Sequence, residues 1–423
     1  MPATYSHQPI ADRASLEAAL GRVLDRTPIL DLHTHLYSAD FGDLLLWGVD
    51  ELVTYHYLIA EVCRAPGGPS PDEFFALSKQ QQADRIWRHL FVEASPISEA
   101  CRGVLTTLSA LGIDVNMPTL APARQYFADV TVHQHIDRVF ELSNVSAVVM
   151  TNDPFDPSEQ PVWRAQGCTD PRFIPALRLD GVLVFWPKNW QMVKSWGYDV
   201  NEGLTQTTFK GVRKFLLDQI KRMKPAYMAV SLPDSFVYPA PDCPAQMIEH
   251  CVIPVARETG VPFAMMIGVK RQLNPALRLA GDGVGKADIR AVERICSQNP
   301  DVKFLVTMLS RENQHELCVA ARKLPNLMPF GCWWFLNDPS LIEEISRMRL
   351  ELLGLSMIPQ HSDARILDQL VYKWRHSREV LKRVLTDKYA DLMATGWRVT
   401  EADLQRDVAR LLADNFKTFV GRK

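Results

Sequence analysis

Pro28-Ile-Leu-Asp31-Leu-His33-Thr-His35 is the stretch whose reading decides the fold. Two imidazoles at i and i+2 point to one side only where the backbone is extended. A strand carrying His33 and His35 on one face therefore brings two nitrogens toward one ion, and neutral imidazole suits zinc, iron or nickel better than magnesium or calcium. Spacing alone leaves the doublet open between a ligand pair and two independent histidines. Its setting favours the first: an apolar run precedes it, Asp31 stands beside it, and the turn-like Tyr37-Ser-Ala-Asp-Phe-Gly42 follows. A strand end opening into a loop is where barrel enzymes hold their ligands.

Working outward, residues 11–27 carry Leu16, Leu20 and Leu24 on one helical stripe, and Pro28 separates that helix from a first core strand at 29–32. The next hundred residues read as helices at 49–63, 71–93, 98–111 and 122–138, with Pro66-Gly-Gly-Pro69 as a break. Beyond residue 140 short β-prone runs recur at 146–150, 173–177, 227–231, 263–267, 303–307, 327–331 and 355–358. Helical stretches at 203–223, 247–259, 285–297, 312–323 and 339–353 separate several of them. Eight strands alternating with helices point to a parallel sheet closed into a barrel. A doubly wound sheet accommodates the same count, but no glycine-rich nucleotide loop follows an early strand. Gly281-Asp-Gly-Val-Gly285 reads as a loop before a helix.

The expected organisation has four parts. An N-terminal helix and first strand (1–36) precede a helical insertion after that strand (37–140), folded over the site. The remaining barrel (141–376) follows, and C-terminal helices (377–423) pack on its wall or close its lower end.

The chain has 423 residues, 47% hydrophobic and 23% charged, with a net charge of -2. That balance is globular, and without a cationic block neither nucleic acid nor an anionic membrane is an expected partner. The eight cysteines are scattered with no CxxC pair, which suits a reducing compartment. The first ten residues lack a basic stretch followed by an apolar run, so a cytoplasmic protein is expected, with homo-oligomerisation left open.

In a barrel the first and eighth strands are neighbours. Asp363, just beyond the eighth run, can therefore complete a site begun by His33 and His35. Two imidazoles and a carboxylate make a reasonable catalytic zinc shell, although Asp363 also fits a helix cap and His361 is a rival ligand. Arg365 presents a rigid fork for an anionic substrate. His56 and Tyr57 could contact a hydroxyl or carboxylate, and Tyr57 could relay a proton if its pKa were lowered. Arg178 is a second anion-binding candidate. Asp153 could bind substrate hydroxyls or shape the turn before Pro154. Trp333 and Trp334 could stack on a sugar ring or simply pack.

These elements together resemble the uronate isomerase (glucuronate isomerase) family of the amidohydrolase superfamily. The first-strand motif through His33 and His35, His56-Tyr57, Thr151-Asn-Asp-Pro154, Pro175-Ala-Leu-Arg178-Leu-Asp180, Gly331-Cys-Trp-Trp-Phe-Leu-Asn-Asp338 and Ser362-Asp363-Ala-Arg365 occur in the family's order across about residues 10–423. The resemblance implies a distorted (β/α)8 barrel and one divalent metal, commonly zinc, held by His33, His35 and Asp363. It further implies interconversion of an aldose and a ketose uronate such as D-glucuronate and D-fructuronate. Arg365 and Arg178, helped by His56, would anchor the carboxylate, with Asp363, Tyr57 or a metal-bound hydroxide moving the proton. One departure stands out: Met266 lies where the family has a histidine, and a thioether carries no proton. That position motivates an alternative, a divergent metal-dependent hydrolase or decarboxylase acting on a small carboxylated substrate. A non-enzymatic metal-binding scaffold is a third reading.

Overall fold

The computed structural model describes residues 6–421, so residues 1–5 of the N-terminal part and 422–423 of the C-terminal part read above lie outside the described residues. The strands are β1 (Ile29–Asp31), β2 (Val145–Val149), β3 (Phe173–Ile174), β4 (Leu177–Arg178), β5 (Met228–Pro233), β6 (Phe263–Lys270), β7 (Gly283–Val284), β8 (Phe304–Met308) and β9 (Leu327–Pro329). Every pairing between them is parallel except β6 with β7. β1-β2-β3 form one run and β4-β5-β6-β8-β9 another. β3 and β4 are halves of one predicted strand, split at Pro175, which has no N–H to give a ladder. Asn152 bridges the split, its N–H donating to Ala176 O at 2.9 Å while its carbonyl accepts from Arg178 N–H at 2.9 Å.

The eighth predicted strand, 355–358, is not one. Only Ile358 pairs, in a single bridge to Phe330. Pro359 interrupts the ladder and Asp363 is left-handed at φ +52°, so the segment cannot pleat regularly. It still closes the ring. Asp363 N–H donates to His33 O at 3.1 Å and His35 N–H donates to Ala364 O at 2.7 Å. The Asp31 carboxylate replaces a ladder carbonyl by accepting from Ser362 N–H at 3.0 Å. Hydrogen bonds thus circle eight segments, and the fold is a distorted α/β barrel.

Side chains alternate along the strands with period two. On β6, Phe263, Met265 and Ile267 join the outer core beneath the helices, whereas Ala264 and Met266 join Leu30, Val149, Ala229 and Leu305 inside the barrel. Phe416 from the C-terminal helices closes the lower end of that interior cluster, its ring centroid 6.2 Å from Tyr227.

Several predicted helices are shorter than their periodicity. The 71–93 stretch restarts at Ser78, and the 122–138 stretch at Thr131, each through a capping box with a glutamine three residues on. The 49–63 stretch breaks at Tyr55, which is extended and buried, so that His56 opens a new helix, His56–Arg64. Helices Gln160–Ala165 and Trp186–Ser195 have no counterpart in the sequence reading. Residues 281–285 are not a plain loop, since Gly283 and Val284 pair antiparallel with β6. The segment between β1 and β2 builds a separate apolar cluster from Val49, Leu52, Leu58, Phe74, Trp87 and Leu108, while its last helix, Val132–Ser143, packs on the main core.

Candidate active site

His33, His35 and Asp363 meet at the barrel mouth, their ligand atoms all within 4.8 Å of one another. His33 Nε2 stands 3.6 Å and His35 Nε2 3.3 Å from Asp363 Oδ1. The hydrogen bonds behind the two rings assign their tautomers. Tyr227 donates its only proton to Leu32 O at 2.8 Å, so at 3.1 Å its oxygen can only accept from His33 Nδ1–H. Thr151 likewise donates to Thr34 O at 3.0 Å and accepts from His35 Nδ1–H at 2.9 Å. Both Nε2 atoms then present bare lone pairs toward a carboxylate oxygen. Burial, reinforced by neighbouring positive charge, holds both imidazoles below their ordinary pKa and so keeps them neutral. Three electron-rich atoms facing one another with no proton between them repel unless a cation lies among them. His33 Nε2 and Asp363 Oδ1 are indeed buried without a hydrogen-bond partner. The donor set fits a divalent metal with two nitrogen ligands and one oxygen ligand.

A buried network aims Asp363. Asp31 accepts from Ser362 N–H and, through its other oxygen, from Trp374 Nε1–H at 2.8 Å. His361, the rival ligand, is fully buried with its ring centroid 5.1 Å from that of His33, and neither of its nitrogens has a hydrogen-bond partner. It lies outside the group of converging ligand atoms. Its ring occupies the space a side chain at residue 331 would need: a Cβ on Gly331 would stand 1.9 Å from His361 Cδ2.

Around this centre the remaining predicted residues separate. Arg365 is two residues from Asp363, and its guanidinium makes no hydrogen bond or ion pair among the described residues. His56 lines the same cavity as Arg365, with its Nε2 buried and unpartnered. Tyr57 packs beside His56 with ring centroids 4.7 Å apart. The lowered pKa that a relaying Tyr57 requires is absent: burial and the neighbouring Tyr55 push it well above the ordinary value. Tyr57 is therefore a hydrogen-bond donor. Arg178 turns one edge of its fork onto Asp180, at 3.0 and 3.2 Å, leaving the Nη1 edge free. Asp153 caps the local turn, accepting from Phe155 N–H at 2.9 Å. Trp333 and Trp334 are buried among the interior apolar side chains, Trp334 stacked on Phe335 with centroids 4.9 Å apart, so neither offers a free face to a sugar.

The sequence reading did not single out Tyr227 or gave Thr151 no separate role, and it did not mark Trp374, Lys373 or Arg278. Tyr227 lies 194 residues from its partner His33, and no local pattern announces such a contact.

No protein-family model and no curated protein matches this chain. Solved structures do. A uronate isomerase from Bacillus halodurans C-125 is 51% identical over 98% of each chain with a TM-score of 0.96. A glucuronate isomerase from Caulobacter crescentus superposes with a TM-score of 0.76 over 99% of this chain and 95% of its own, at 14% identity. A uronate isomerase from Thermotoga maritima superposes at 0.75 over 95% and 97%, at 17% identity. The last two likenesses speak to the fold alone, whereas the first extends through the whole sequence and places this chain in the uronate isomerase family.

Proposed function

We propose that the protein interconverts an aldose and a ketose sugar acid, such as D-glucuronate and D-fructuronate, with one divalent metal held by His33, His35 and Asp363. The observation that carries this reading is the 51% identity over 98% of the chain to a protein described as a uronate isomerase. Two free imidazole lone pairs and a bare carboxylate oxygen beside the unpaired Arg365 support it. Zinc suits the two-nitrogen, one-oxygen donor set. When bound, the ion supplies Lewis-acid stabilisation for negative charge developing on the substrate's carbonyl oxygen.

The remaining chemistry belongs to the chain. Arg365 and the free Nη1 edge of Arg178 hold the substrate carboxylate, and His56 offers a hydrogen bond through its unpartnered Nε2. The Asp363 carboxylate, through the oxygen that does not hold the ion, takes the proton from C2 of the open-chain aldose and returns it to C1, while the hydroxyl proton passes from O2 to O1. The formula is unchanged and no redox partner is needed. Tyr57, kept protonated, donates to the oxygen on which charge develops. Asp153 shapes the loop that carries Arg178's neighbours, and Trp333 and Trp334 wall the site from water.

The hydrolase alternative rested on Met266. Its thioether is buried in the barrel's apolar interior and serves packing there, so nothing about that position calls for a different reaction. The eight unpaired cysteines fit a cytoplasmic setting. Among the described residues no helix is long and apolar enough to cross a membrane. A panel of aldose and ketose uronates, assayed for isomer formation with wild type, His35→Ala and Arg365→Met, tests the reading. Turnover of at least one uronate, lost in His35→Ala, is expected. Ester or amide hydrolysis without isomer formation would reject it.

A further inference from the structure

Residues 271–285 leave the barrel at the end of β6 and return as β7, with Val269 paired to Val284 and Lys270 to Gly283. The base of this excursion is braced. Arg271 pairs with Asp282, Gln272 N–H donates to Asp282 Oδ1 at 2.9 Å, and Gly285 N–H donates to Gly268 O at 3.0 Å. The tip, Pro275–Gly281, packs on helices His56–Arg64 and Pro71–Phe75. Strap and helices line an open cleft of about 300 Å³ whose wall includes His56, Arg365 and, from the strap, Arg278.

Arg278 is unusual in two respects. Its backbone lies at φ +53°, ψ -125°, close to the φ +56°, ψ -123° of Gly42 and in a region that side chains avoid. Glycine would sit there without strain, yet an arginine occupies it. Its guanidinium also lacks a carboxylate partner among the described residues and lies 4.1 Å over the Phe75 ring. Arg365 on the same wall is unpaired as well. Glu51, the one acid lining the cavity, is taken by Lys79 at 2.9 Å. Two guanidinium groups without carboxylate partners on the wall of one cleft suit an anionic ligand there.

We propose that Arg278 is a specificity residue which, with Arg365, reads the carboxylate of the incoming sugar acid. The assignment rests on the sugar-acid reading above. The braced strap holds the exposed Arg278 at the rim of the cavity that Arg365 and His56 line from the barrel side.

Steady-state kinetics of wild type, Arg278→Gly, Arg278→Met and Arg278→Lys on D-glucuronate and on its neutral C6 amide test this. In the Gly and Met variants KM for glucuronate should rise roughly 10- to 100-fold, the cost of one charged hydrogen bond. Their kcat should stay close to wild type, and amide kinetics should not change. Arg278→Lys should recover part of the acid preference. Arg278→Gly, which relaxes the backbone, should melt no lower than the wild type and so separate lost charge from lost folding. If both variants keep the wild-type preference for acid over amide, or lose acid and amide equally, Arg278 has no such role although the sugar-acid reading stands. If wild type converts neither compound nor any other uronate, the sugar-acid reading itself fails and this assignment falls with it.

Discussion

Tyr227 and Thr151 decide what His33 and His35 can bind. Each hydroxyl gives its proton to a backbone carbonyl and so accepts the Nδ1 proton of one histidine. Tyr227→Phe and Thr151→Val should each weaken metal affinity about 10- to 100-fold while leaving the fold intact. Competition with a coloured chelator measures this, and unchanged affinity in both would contradict the tautomer argument. Lys373 is buried at 5% exposure, and burial pushes its ammonium down to about 8 against the pull of Asp363, Asp31 and Glu99. Its folded pKa lies below the free-lysine value of 10.5, so between the two the unfolded chain binds the extra proton and stability rises with pH. At neutral pH the buried charge costs stability, and Lys373→Met should stabilise by on the order of 1–3 kcal/mol. Urea midpoints of the two proteins should converge as pH climbs from about 8 to 10.5; parallel profiles would contradict it. The ligand doublet was legible because i and i+2 spacing has a backbone meaning. Its supporting hydroxyls were not, because 194 and 116 residues separate the partners.

Among the elements, the eighth barrel segment departs furthest from a regular strand and carries the most chemistry. It lacks a ladder because of Pro359 and the left-handed Asp363, and Asp31 supplies the missing acceptor. Gly331, at φ +64°, leaves room for His361. Gly331→Ala adds a Cβ into that ring and strains the backbone, so it should cost about 2–4 kcal/mol and reduce bound metal. Denaturant unfolding and metal analysis would show both, and wild-type values for both would contradict the packing account. The sequence carried the strand positions of the barrel, since apolar runs between helices survive any register detail. It also held restart signals at Ser78 and Thr131, where a glutamine follows three residues later. The break before His56 had no such signal: burial of Tyr55 sets it, and burial is a property of the assembled fold. The strap of residues 271–285 was hidden for the same reason, because its glycines read as a loop until β6 gives them a partner.

At the scale of the molecule, closure does the organising. Hydrogen bonds of the Asp363 N–H to His33 O and of the His35 N–H to Ala364 O bring together ligands about 330 residues apart, and an α/β barrel places all such segment ends on one face. Because the native state alone assembles the ligand set, metal should raise stability by mass action, about 4 kcal/mol at a thousandfold excess over Kd. Chelator-treated protein should therefore melt lower and recover on readdition of zinc; a melting point indifferent to both would contradict a site at this position. The central claim concerns the reaction carried out there. Proton NMR of D-glucuronate in heavy water with metal-reloaded enzyme tests it most directly. The account predicts appearance of D-fructuronate and deuterium at C2 of the recovered aldose, both lost in Asp363→Asn. Glucuronate left unchanged, with neither ketose nor exchange, would contradict it.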